Sequence, residues 1–312
     1  MTRRVSRPAP PAGHALGEGA SRALGAWSRA FERAFAACLP DARLAPRRLH
    51  AAMRYGALSP GKRLRPLLVL AGCEAVGGDW RRALPAAVAV ECVHAFSLIH
   101  DDLPAMDDDD FRRGRPTTHR RHGEALALLA GDALLALAFE QLAGLEERGL
   151  PAKRVVRALR VLARASGSRE LVGGQALDLA AEGRRANGAA VRDIHLRKTG
   201  ALISASLMLG GFAGGARPTT LAALERMGRD LGLAFQIHDD LLNRRSSLRR
   251  LGKRTGTDDA RKKATFPRAV GEERARAEAA HLYLRALRRV ERLGPRAYNL
   301  GHLIIAVAER QS

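Results

Sequence analysis

An all-α fold is predicted for this 312-residue sequence by three observations. Beyond residue 20, nearly every segment carries apolar residues at three- and four-position spacing, the mark of helices with a buried face. Alternating β-branched runs, which would signal strands, are missing. The breaks between periodic stretches are made of turn-forming residues: Ser59-Pro60-Gly61, Gly77-Gly78-Asp79, Gly149-Leu150-Pro151, Gly214-Gly215 and Gly294-Pro295.

Taken in order, residues 1–20 are rich in Pro, Gly, Ala and Arg without periodicity, and are expected to be disordered. Helices are predicted over 20–38 and 46–56, the latter closed by the Ser-Pro-Gly turn, and over 62–77, opening directly after it. The next, 81–106, contains Ala86-Ala87-Val88-Ala89-Val90-Glu91-Cys92-Val93, apolar almost all round, as a central bundle helix should be. Further helices are expected over 122–148, 152–173, 188–213, 218–243, 258–270, 272–293 and 296–310. No repeat or linker interrupts them, so 21–312 reads as one large helical domain.

Bulk composition excludes several classes. The formal charge is +21, but only Lys62, Lys153, Lys198, Lys253, Lys262 and Lys263 are lysine, and the arginines are scattered along the chain. That spread looks like compositional bias and not a binding face. With 4% aromatics there are too few rings for the stacking platforms of single-strand nucleic-acid binders, so no nucleic-acid partner is expected. Cys38, Cys73 and Cys92 show no metal spacing and lie in apolar stretches, which suits free thiols in a reducing compartment. No run approaches the ~20 uninterrupted apolar residues of a membrane span. Arg3, Arg4 and Arg7 have no apolar core behind them, so no signal peptide is read and a cytoplasmic location is expected.

The chemistry concentrates in two acidic segments, Asp101-Asp102-Leu103-Pro104-Ala105-Met106-Asp107 and Asp239-Asp240-Leu241-Leu242-Asn243, each ending an apolar helical pattern. Clustered carboxylates repel one another unless a cation neutralises them, and Mg²⁺ commonly shares a few carboxylates with substrate phosphates. In an unbroken helix Asp101 and Asp107 would point apart. Pro104 must kink or end the helix, which lets them converge. In the second segment Asp239 and Asn243 share a helical face, although a neutral amide oxygen is a poorer hard-cation ligand than a carboxylate. A surface ion pair with Arg244 accounts for Asp240.

Basic residues complete the pattern. Gly61-Lys62-Arg63-Leu64-Arg65-Pro66 opens a helix, where backbone N–H groups and the dipole favour an anion. Lys198-Thr199-Gly200 and Gly252-Lys253-Arg254 are similar glycine-bearing strings, so three of the chain's few lysines fall in such places. His94 by itself reads as a core histidine.

Together the strings GKRLRP (61–66), HAFSLIHDDLPAMDDDDFRRGRPTTH (94–119), LAGDALL (129–135), GGQALDLAAEG (173–183), KTGALI (198–203), LGLAFQIHDDLLN (231–243) and LGKRTGTD (251–258) resemble the trans-isoprenyl diphosphate synthase (polyprenyl synthetase) family, most closely bacterial farnesyl diphosphate synthases. The resemblance implies antiparallel helices around a deep central cavity, usually in a homodimer, and head-to-tail prenyl transfer from allylic diphosphates to isopentenyl diphosphate with three Mg²⁺ ions. It implies that Asp101 and Asp107 hold two ions and Asp239 the third, with Asp102 in support. Arg112, Lys198, Gln236 and Lys253 would contact the allylic diphosphate, and Lys62, Arg65, His94 and Arg113 the isopentenyl diphosphate. Thr199 would steady the carbocation. Phe96 and Ser97, five and four positions before Asp101, would form the floor that limits chain length; an aromatic there points to farnesyl diphosphate, with geranylgeranyl diphosphate as the alternative. Asn243, where the family usually has Asp, and the arginines after it leave open a non-catalytic partner subunit.

Overall fold

The computed structural model describes residues 18–184, 186–250 and 263–309, with backbone alone for 245–250. In order the helices are α1 (Glu18–Cys38), α2 (Arg47–Ala57), α3 (Leu64–Ala75), α4 (Leu84–Asp101), α5 (Thr118–His122), α6 (Glu124–Ala143), α7 (Ala152–Ser166), α8 (Leu171–Ala181), α9 (Gly188–His195), α10 (Ala201–Ala213), α11 (Pro218–Arg250), α12 (Phe266–Val270), α13 (Glu272–Leu293) and α14 (Tyr298–Glu309). The all-α expectation holds. Among the described residues the only strands are the two-residue β1 (Phe111–Arg112) and β2 (Arg115–Pro116), paired as a small antiparallel hairpin.

α4 is the central helix. Residues 86–93 are all buried, and it packs on α6, α3, α10 and α1. A second layer forms where α10 meets α3, α11 and α7, with α13 laid along α11. Leu68, Leu70, Leu134, Leu202, Ile203 and Leu207 are fully buried at these contacts. Each such side chain contributes ~1.5–3 kcal/mol relative to an exposed position.

Several boundaries differ from the expected ones, each for a local reason. Glu18–Ala20, expected in the disordered leader, belong to α1; residues 1–17 lie outside the described set. The 81–106 helix stops at Asp101 because of Pro104. The 152–173 helix breaks at Gly167, whose backbone is extended (ψ −170°), and restarts as α8. Within 188–213 one wide π-turn, Leu196–Gly200, separates α9 from α10. Single π-turns of this kind commonly mark functional positions.

α4, with the short 3₁₀ turn before it, and α6 are each long and apolar enough to cross a membrane by length and composition. For α4 the explanation is core burial. α6 is less covered, and Leu128 and Leu129 stand about half exposed on it (47% and 50%).

Candidate active site

Pro104 sets the geometry of the first acidic segment. With α4 ended, the chain turns back so that the amides of Met106 and Asp108 donate to the Leu103 carbonyl, and Asp107 N–H donates to Asp101 O at 2.8 Å. The convergence expected of Asp101 and Asp107 is therefore present. Burial pushes the Asp101 carboxyl up to about 6; Lys198 opposes the rise and the like charge of Asp107 adds to it. Asp107 also accepts from Lys263 Nζ at 3.0 Å, across 156 positions of sequence.

Asp102, expected to support the metal site, is engaged by Arg112 in this structure. It is 3% exposed, and its Oδ1 accepts from Arg112 Nε at 2.7 Å. The hairpin presents that arginine, and its tight turn is made by Arg113 and Gly114 in left-handed conformation (φ 54° and 75°). Arg113 crosses close over Gly61, where a Cβ would lie 2.3 Å from Nη1 and push the guanidinium aside; Nη1 donates to the Pro60 carbonyl at 2.5 Å.

These elements surround one cavity of about 1040 Å³, at the upper end of small-molecule sites. Its first wall carries Lys62, Arg65, His94 and Arg113. Burial brings Arg65 down to about 10, so it stays cationic at neutral pH. Burial, and then the Arg65 charge, hold His94 well below its ordinary value, leaving a neutral imidazole. A guanidinium can only donate, so His94 Nε2 accepts from Arg65 Nη1 at 3.4 Å.

The opposite wall carries Lys198 and Thr199 on the π-turn and Gln236 and Asp239 on α11. Gly174 lets α8 touch the turn: a Cβ there would meet Lys198 N at 2.3 Å. Burial alone would lower the Lys198 ammonium, yet Asp178 and Asp101 outweigh it and raise its pKa. Asp178 accepts from Lys198 Nζ at 2.6 Å. Tyr283 is buried beside Asp239, and burial together with that carboxylate raises its phenol.

Phe96 and Ser97 line the cavity below Asp101, as expected of a floor. The Phe96 ring meets His100 edge-on at 4.9 Å between centroids, and His100 Nε2 donates to the Leu128 carbonyl of α6 at 2.9 Å. The aromatic is thereby braced from below.

Among the described residues, no three His, Cys, Asp or Glu side chains form a ready-made metal cluster. What the cavity offers is carboxylate charge held out of water beside a like charge. A divalent ion that takes one or two carboxylates and completes its shell from phosphate and water fits that donor set. Asp101 and Asp239 on the cavity wall, and Asp107 beside Asp101, could hold such an ion.

Of the sequence-predicted residues, Lys62, Arg65, His94, Arg112 and Arg113 line the cavity together with Phe96, Ser97 and Asp101, and so do Lys198, Thr199, Gln236 and Asp239. Asp102 and Asp107 are buried and are not among the lining residues. Lys253 lies outside the described residues. The surface role expected for Asp240 is corrected: it is 6% exposed and bonded to His195. Sequence reading missed Asp178, Lys263 and Glu91. Lysine scarcity was the available signal for Lys263; nothing local marked Glu91, whose partner is 28 positions away. Gln175 was also passed over, although its buried amide lines the cavity with no hydrogen-bond partner among the described residues.

Residues 46–294 match the polyprenyl synthetase family. The chain is 47% identical over 234 residues to geranylgeranyl pyrophosphate synthase 4 of Arabidopsis thaliana, a match covering 74% of this chain and 62% of that protein's length. Among solved structures, an FPP/GFPP synthase from Zymomonas mobilis is 39% identical with a TM-score of 0.81, covering 92% of this chain and 97% of the other. A Helicobacter pylori geranyltransferase complexed with magnesium and isoprenyl diphosphate is 31% identical, also with a TM-score of 0.81, covering 95% and 99%.

Proposed function

The chain belongs to the polyprenyl synthetase family, and on that premise we propose that it is a trans-prenyltransferase joining isopentenyl diphosphate head to tail to an allylic diphosphate. The observation that carries this reading is one cavity with two unlike anion-holding walls above an apolar pocket. One wall is dominated by Lys62, Arg65 and Arg113, with neutral His94 and the Arg63-paired Glu91 among them, and the other mixes lysine with carboxylates. A reaction with one departing and one retained diphosphate uses that asymmetry.

Lys62, Arg65, His94 and Arg113 hold the diphosphate that stays on its carbon skeleton. Arg112 and Lys198 grip the one that leaves, and Thr199 Oγ1 faces the carbon it leaves from. Magnesium, held by Asp101, Asp107 and Asp239 when bound, supplies the positive charge that stabilises the departing diphosphate. The C–O bond breaks with its electrons on that diphosphate, and the isopentenyl double bond attacks the allylic cation. The released diphosphate then takes the proton lost from the new chain. The apolar pocket keeps water from the cation.

Geranylgeranyl diphosphate is the favoured product, because the plant relative at 47% identity carries that name. Farnesyl diphosphate, expected from the sequence, becomes the second reading; the braced Phe96 ring beneath Asp101 favours it. Incubation with Mg²⁺, isopentenyl diphosphate and dimethylallyl diphosphate, followed by chain-length analysis, decides between them. No condensation product at all would discard the enzyme reading. Phe96→Ala is expected to lengthen the product by at least one five-carbon unit, and an unchanged length would place the floor elsewhere.

The half-exposed Leu129 on α6, beside Leu128 at the cavity edge, supports a second copy of the chain as partner. Light scattering is expected to report twice the 33.6 kDa chain mass, and Leu129→Glu to reduce it to one. A monomeric parent protein would remove this assignment.

A further inference from the structure

We infer that Asp240 is a positioning residue that sets which way the Thr199 hydroxyl points, and so presents an oxygen lone pair, not a proton, to the reacting carbon. The inference rests on the prenyl-transfer reading and adds a residue to it.

The bonds around Asp240 leave one consistent arrangement. Its Oδ2 receives the backbone N–H of Phe266 at 2.8 Å and lies 2.9 Å from His195 Nε2. A backbone N–H can only donate, so Oδ2 is an acceptor. Oδ1 lies 3.2 Å from Gln236 Nε2, one helical turn earlier on α11. As placed, the Gln236 NH₂ is the group turned toward Oδ1, so both Asp240 oxygens accept, one from the Phe266 amide and one from Gln236. The amide oxygen then faces the other way and receives the Thr199 Oγ1 proton at 2.8 Å. With its hydrogen committed to Gln236, Thr199 has only lone pairs left for the cavity that it and Gln236 line.

That polarity is what the chemistry needs. An allylic cation forming next to Thr199 is stabilised by an electron-rich oxygen and opposed by a hydroxyl proton aimed at it. One flip of the Gln236 amide would reverse the polarity, and the neutral amide alone has no reason to prefer either state. The Asp240 charge supplies the preference. Asp240 is almost completely buried (6% exposed), so solvent does not compete for its oxygens. His195 ends α9 directly before the π-turn that carries Thr199, and Phe266 begins the helix just after Lys263. The same carboxylate therefore also fixes the two chain segments that bring Thr199 and Lys263 to the site.

A double-mutant cycle tests this. Asp240→Asn keeps the shape but offers an NH₂ toward Gln236, which lets the amide flip and frees the Thr199 proton. Its kcat is expected to fall ~10–100-fold, with KM for both diphosphates and the Mg²⁺ concentration for half-maximal rate within about three-fold. Thr199→Val removes the hydroxyl, and the double variant is expected to be no slower than the slower single one. If Asp240→Asn does not fold, Gln236→Leu breaks the same chain and enters the same cycle. Multiplicative losses in the double variant, or a raised Mg²⁺ requirement with kcat intact, would overturn the inference while leaving prenyl transfer in place. A parent protein that forms no product would overturn both.

Discussion

Asp101→Asn is expected to lose ~1000-fold in turnover and yet to melt at a higher temperature than the parent protein above pH 7. Both effects come from one carboxylate held largely out of water beside Asp107. Its charge is needed to hold the cation that stabilises the leaving diphosphate, and removing one such electrostatic group costs ~100–1000-fold or more. In the metal-free protein the same charge is a burden. Burial raises the Asp101 pKa from 3.8 to about 6, so the folded chain keeps a proton that the unfolded chain has already released. Stability is therefore greatest below about pH 4 as far as this group is concerned, falls as pH rises toward 6, and stays reduced above it. Two pKa units correspond to at most ~3 kcal/mol, less whatever the cavity's solvent screens. Asparagine has no such charge, so melting of the variant should show a smaller decline between pH 4 and 7. An Asp101→Asn protein with normal turnover, or with the parent's full pH-dependent loss of stability, would remove Asp101 from the role given to it.

Glu91→Ala is expected to be the most damaging change away from the acidic segments. Glu91 is 3% exposed and accepts from Arg63 Nη1 at 2.8 Å. Arg63 also donates to Glu32 at 2.9 Å and lies over the Phe35 ring at 5.3 Å. Its backbone is left-handed (φ 46°, ψ 35°), which costs a non-glycine residue ~1–2 kcal/mol unless its surroundings hold it. The buried ion pair is what holds it. Lys62 precedes Arg63 and Arg65 follows two positions on, and both line the cavity, so holding Arg63 in place fixes the chain that carries them. Removing one partner of a buried pair typically costs ~3–5 kcal/mol, equivalent to a melting temperature lower by roughly 6–10 °C. Glu91 also counters the nearby Arg65 and Arg113 charges. Loss of the placement of Lys62 and Arg65 outweighs the removal of that opposing charge, so KM for isopentenyl diphosphate should rise ~10-fold or more, while KM for the allylic substrate changes little. Equal increases in both constants would show a general loosening of the fold and not a device serving one wall.

How far the site could be read from the sequence depended on distance along the chain. The first acidic segment was legible because cause and effect lie within seven residues: Pro104 ends α4, and the turn that follows brings Asp107 back to Asp101. That Phe96 would share the cavity with Asp101 was legible because one helix carries both. Asp240 was misread because a carboxylate four positions before an arginine looks like a surface pair, and nothing nearby reveals that His195 and the Phe266 amide will enclose it. Asp178 and Lys263 were missed for the same reason, since each finds its partner only when distant helices pack. Gly167 ended a helix early where the apolar pattern ran on, because periodicity records burial and not continuity.

The amino-acid order by itself determined an all-helical domain, the apolar α4 at its centre, and the strings that carry charge to the helix ends. Those properties depend on spacing of three or four residues and on the fixed geometry of proline and glycine, all local. Tertiary packing alone decided which groups meet: Arg63 with Glu91, Lys198 with Asp178, Lys263 with Asp107, and His195 and the Phe266 amide on Asp240. The reason is that a buried charge requires a partner in space, and residues tens of positions apart become neighbours only once the helices have closed around the cavity.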